Sequence, residues 1–141
     1  MLALLQYQRD SLVRKVSGLD DEAARRQFVT SGTTLLWLVK HIARAERTWL
    51  LYRFAGEDLE LSDDAVGADD TLPAAVDFYV ATWKLVDEVV ARSELDDIAC
   101  RLDGGAPVDL RWVLMHLLEE TARHAGHADI LRELIDGQTG R

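Results

Sequence analysis

A chain of 141 residues, 48% hydrophobic and 29% charged, has enough apolar mass for one soluble globular domain, expected to span 1–141. Its 16 basic and 25 acidic residues leave a net charge of −9 with no basic stripe, which excludes nucleic acid and anionic membranes as expected partners. One cysteine, Cys100, excludes an intrachain disulfide, and no apolar run approaches the ~20 residues of a membrane span.

The N-terminus has no basic region ahead of its short apolar run, so a signal peptide is not expected and the predicted location is cytoplasmic. Helix one is predicted from Leu2 to Ser17, with Leu5, Leu12 and Val16 on its apolar side and Gly18 ending it. Asp20 or Asp21 can cap a short turn through DEAARRQF, and VTSGTT reads as a loop with Thr33 or Thr34 as the next N-cap. Helix two is predicted from Thr34 to Phe54. Trp37, Leu38, Ala45, Thr48, Trp49 and Tyr52 share one side, and His41 sits in the middle of it. Alone, such a histidine reads as a core residue bonded to a neighbour.

Residues 56–70, GEDLELSDDAVGADD, read as a solvated acidic crossover whose carboxylate spacing does not fit an EF-hand loop. Helix three is predicted from Leu72 to Arg92, capped by Thr71 with Pro73 in its first turn and Tyr79, Trp83, Val86 and Val90 at packing spacing. Ser93 to Asp97 is expected to add a turn. Cys100 lies in the acidic connector ELDDIACRLDGG, a setting that does not favour a reactive thiolate. Helix four then runs from an Asp109 cap to a stop at Gly137. Periodicity near 3.6 throughout, without strand alternation, predicts an all-α four-helix bundle with a long crossover between helices two and three.

Helix four carries the chemistry. At roughly 100° per residue, His116, Glu120, His124 and His127 fall within about 80° of arc, together with Trp112, Val113, Leu117, Leu131 and Leu134, while Asp129, Arg132 and Glu133 fall on the opposite, solvated side. A carboxylate on a core-facing stripe must be paired, protonated or bound to metal. Glu120 and His124, one turn apart, can converge on one ion, with His41 of helix two as the third ligand. Two histidines and one carboxylate leave open positions, as in catalytic zinc sites, and the same set suits iron. His127 and His116 are candidates for a further ligand or for partners that orient the ligands. Arg123, at the edge of the arc, can pair with Glu120 or meet an anionic substrate. The competing reading is a metal-free polar network in a non-catalytic helical bundle that dimerises or binds a small molecule.

The segments TLLWLVKHIARAERTW at 34–49 and RWVLMHLLEETARHAGHADILRELIDG at 111–137 resemble the DinB-like superfamily, which includes mycothiol-dependent maleylpyruvate isomerase and bacillithiol transferases. The resemblance implies an up-down bundle of that type. It also implies a metal held by a histidine of helix two and a pair four apart in helix four, which here are His41, Glu120 and His124. Where many members end the last motif in glycine-glutamine, this chain has Gly126-His127. The isomerase type's additional C-terminal domain is not expected here, so that isomerase's substrate is not expected to carry over. The implied cofactor is a divalent metal, zinc with nickel or iron as alternatives. The implied partners are a low-molecular-weight thiol as cosubstrate, a small electrophile, and a second copy of the chain in a homodimer. The implied chemistry is S-transfer or thiol-assisted isomerisation.

Overall fold

The computed structural model describes residues 1–61, 63–102 and 105–139. It contains five helices: α1 (Leu2–Val16), α2 (Asp21–Ala24), α3 (Leu35–Glu46), α4 (Leu72–Ala91) and α5 (Leu110–Asp136). α3 continues directly into a π-helical segment, Arg47–Phe54. The caps are local chemistry. Asp20, Thr34, Thr71 and Asp109 each accept the backbone N–H three residues on, and Gly137 ends α5 at φ 75°, where a side chain would be strained. The expected extra turn after α4 is a non-helical turn closed by Asp97 N–H to Glu94 O. An isolated antiparallel bridge pairs Ile98 with Asp109, and there is no strand among the described residues. No described helix is long and apolar enough to cross a membrane.

α1 packs along α5, and α3 lies between α4 and α5. The core falls into two apolar clusters. One joins Leu12 and Val16 to Leu35–Ala43, the start of α4, and Ala128 and Leu131 of α5. The other joins Leu5, Leu50, Leu51 and Phe54 to the end of α4 and Leu110–Leu117 of α5. Between them the same helices contribute buried polar residues: Arg9, Glu46, Thr82, Thr121 and His124. A polar layer therefore divides the bundle midway, and the helix-four stripe crosses it.

The structure differs from the sequence reading elsewhere as well. The second half of helix two is π-helical, so Ala55 N–H reaches Leu50 O, five residues back. Arg132, expected on the solvated face, is buried and donates to the carbonyls of Lys15 and Ser17, tying α5 to the end of α1; Trp112 and Leu134, expected inward, are exposed. The crossover is docked rather than free in solvent. Arg25 donates to the carbonyls of Gly67, Ala68 and Asp70, and Lys40 pairs with Asp70 at 2.6 Å and bonds the carbonyl of Ala65.

Candidate metal centre

His41 comes from the middle of α3, one turn after Trp37. The Trp37 ring stacks on it at 4.6 Å between centroids and 15° between planes. Glu120 and His124 come from successive turns of α5. Glu120 Oε1 lies 3.3 Å from His41 Nε2 and 3.1 Å from His124 Nε2. The three ligand atoms all lie within 4.8 Å of one another. The stripe is less enclosed than its periodicity suggested. His41 and Glu120 side chains are 22% and 18% exposed and His124 11%, which leaves the group reachable from solvent.

The crossover supplies a residue that the sequence reading missed. Asp64 Oδ2 lies 2.7 Å from His41 Nδ1. Burial pushes the Asp64 carboxyl up, but the hydrogen bond and charge of His41, a backbone hydrogen bond and the charge of Arg44 outweigh it and hold it below the usual carboxylate range. Glu120 is balanced the same way. Burial raises it, and the contacts with His41 and His124 and the charge of Arg123 bring it below its ordinary value. Burial lowers His124, opposed by Glu120 and assisted by His41 and His127. The resulting state is two carboxylates held ionised and a His124 imidazole that resists protonation.

Those states constrain the protons. An ionised carboxylate only accepts, so the His41 Nδ1–H donates to Asp64, and a ring carrying that one proton presents a lone pair at Nε2. That lone pair would face Glu120 Oε1 at 3.3 Å, an arrangement that a bound cation would satisfy. The donor set fits a divalent ion. In a tetrahedral site with bonds of about 2.1 Å, neighbouring ligand atoms stand about 3.4 Å apart, close to two of the three edges here. Neutral imidazoles and a carboxylate are also the ligand types such ions take.

The remaining candidates separate. Arg123 bonds the other oxygen of Glu120 at 3.2 Å and Glu119 at 2.7 Å, leaving Glu120 Oε1 to the histidines. His127 Nδ1 lies 3.3 Å from His124 Nδ1, the ring nitrogen turned away from Glu120, which puts it beside a ligand rather than among the ligand atoms. It also lines a cavity of about 220 Å³ with Ser31, Thr33 and Leu131. A second cavity, of about 310 Å³, is lined by Arg25, Gln27, Thr34 and Trp37. His116 is not brought to the group: it stacks on Trp112 at 5.1 Å and meets Trp49 edge-on at 4.7 Å.

The sequence matches the family model described as mycothiol S-transferase over residues 1–137. The chain belongs to the mycothiol S-transferase family. Two solved structures share its fold. A conserved protein from Enterococcus faecalis, 16% identical, superposes with a TM-score of 0.74 over 96% of this chain and 95% of its own. A DinB-like protein from Bacillus cereus, 19% identical, gives 0.73 over 94% and 89%. At those identities the likeness carries the fold alone, and it agrees with the DinB-like resemblance of the sequence. No curated protein matches the chain.

Proposed function

We propose that this member of the mycothiol S-transferase family is a metal-dependent thiol transferase, with His41, Glu120 and His124 as the ligands of a divalent ion, zinc first among the candidates. The observation that carries the reading is the convergence of two Nε2 atoms and one carboxylate oxygen within 4.8 Å, at a solvent-reachable point of the bundle's polar layer. Such an ion, when bound, holds a ligating thiol as its thiolate at neutral pH. The overall reaction forms a sulfur–carbon bond to the electrophile, breaks the bond to its leaving group, and releases the thiol's proton. Transfer is preferred to isomerisation because the family description names transfer.

The chain's own residues do the positioning. Asp64 and Trp37 fix the His41 ring, one by its Nδ1 proton and one by stacking. Arg123 holds Glu120 from the far oxygen. The two cavities on either side of residues 27–34 offer one apolar surface with hydroxyls and one polar surface with Arg25 and Gln27, room for two small partners.

Elemental analysis of untagged full-length protein tests the ligands. Near-stoichiometric zinc, lost in His41→Ala and in His124→Ala, is the expected result; metal content that survives both changes overturns the assignment. Consumption of mycothiol by a small alkylating electrophile, dependent on the metal, then tests the activity.

A further inference from the structure

We propose that Asp64 is a positioning residue for the metal centre, a crossover carboxylate that fixes the tautomer of His41 so that its Nε2 is bare toward Glu120 and His124. The inference rests on the reading that these three residues hold an ion. Three observations carry it. The first is the 2.7 Å contact between Asp64 Oδ2 and His41 Nδ1, with both side chains only about a quarter exposed. The second is the stacking of Trp37, which fixes the plane of the ring, within which Nδ1 faces the crossover and Nε2 faces α5. The third is that the crossover backbone is held just beyond the contact. Lys40 bonds the carbonyl of Ala65, and Arg25 bonds those of Gly67 and Ala68.

Removing the carboxylate frees the one imidazole proton to sit on Nε2, where it occupies the lone pair that a metal needs. Partners of this kind, acting through the ligand rather than on the metal, are worth about 10–100-fold in metal affinity. Because Asp64 belongs to the crossover and His41 to α3, seating the crossover and filling the site are also one linked equilibrium: each strengthens the other by the same factor.

The test uses the untagged full chain with Zn²⁺ alone as the probe. Zinc affinity is measured by competition with a chromophoric chelator for wild type, Asp64→Ala, Asp64→Asn and Asp70→Asn, and imidazole ¹⁵N–¹H correlation spectra are recorded on the metal-free proteins. The expected result is a proton on His41 Nδ1 in the wild type. Asp64→Ala is expected to lose it together with about 10–100-fold in zinc affinity. Asp64→Asn, whose amide oxygen still accepts, should lose less. Asp70→Asn, which loosens the Lys40 anchor without touching His41, should lose clearly less than Asp64→Ala. Three outcomes overturn the proposal while leaving the metal reading in place: equal zinc affinity in wild type and Asp64→Ala, an equal loss in Asp70→Asn, or a wild-type His41 proton on Nε2. A wild type that takes up no zinc overturns both.

Discussion

Arg9 and Glu46, 37 residues apart in sequence, form a two-pronged ion pair sealed inside the bundle. Arg9 Nε and Nη2 donate to the two Glu46 oxygens at 2.9 and 2.6 Å, and the side chains are 1% and 0% exposed. Tyr79 donates to Glu46 as well, and Asp87 takes Arg9 Nη1 at 3.1 Å. Burial alone would lower the Arg9 pKa, but Glu46 and Asp87 outweigh it and hold the guanidinium charged. Removing one partner strands a buried charge. Glu46→Gln and Arg9→Met are each expected to destabilise the fold by about 3–5 kcal/mol, while Arg9→Met combined with Glu46→Leu should recover most of that loss. Urea unfolding of the three variants checks this; single variants within about 1 kcal/mol of wild type would mean the pair is not sealed as described.

The pattern held both halves of that pair, although the sequence reading singled out neither. Arg9 interrupts the Leu5–Leu12–Val16 stripe, and Glu46 follows Val39, Ile42 and Ala43 on the buried side of α3. Opposite charges on two core-facing stripes ask for each other. The helix ends were equally legible, because Asp20, Thr34, Thr71, Asp109 and Gly137 act through bonds and dihedrals a few residues away. His41, Glu120 and His124 could be picked out because helical period alone puts them on inward faces. Asp64 could not, since a crossover with several carboxylates has no period to say which one reaches a ring. The π-helical segment was hidden for a different reason. Its end is held by tertiary bonds, Cys100 N–H to Phe54 O and Arg101 N–H to Arg53 O, that no local pattern announces.

The centre's titrating groups share one sign. Burial lowers His124, and the contacts described above lower Glu120 and Asp64, so each binds its proton less readily folded than unfolded. The unfolded chain then holds more protons across each window, so stability rises with pH there. For metal-free protein the His124 contribution is fully present above its ordinary value of 6.5 and is lost as pH falls through its lower folded value. The carboxylate contributions fade only below 4.5 for Glu120 and 3.8 for Asp64. His124→Gln should erase the upper stage and leave the lower, measured as the difference in unfolding free energy from wild type against pH. A difference independent of pH between 7 and 5 would refute it.

His127 tests the other ligand histidine. If His124 binds an ion through Nε2, its Nδ1 carries the proton and donates to His127 Nδ1 at 3.3 Å. Glutamine at 127 can accept the same proton, whereas leucine cannot. The expectation is that His127→Leu loses zinc affinity by about tenfold, at the low end for such partners, and that His127→Gln stays closer to wild type. Equal and complete loss in both would instead make His127 a direct ligand.

Metal removal provides the broadest check, because the proposed ligands, His41 of α3 with Glu120 and His124 of α5, are 79 and 83 residues apart and meet only in the folded chain. An ion that binds the folded state alone stabilises it by about 2.7 kcal/mol at a free concentration one hundred times its dissociation constant. Chelation is therefore expected to lower the thermal midpoint of the wild type reversibly, and added Zn²⁺ to restore it. His41→Ala and His124→Ala should unfold at the same temperature with and without chelator. Calorimetry on the three proteins, each with and without chelator, separates this from a general effect of chelator on the protein: a midpoint shift that persists in His41→Ala would place the stabilising ion somewhere other than between these helices.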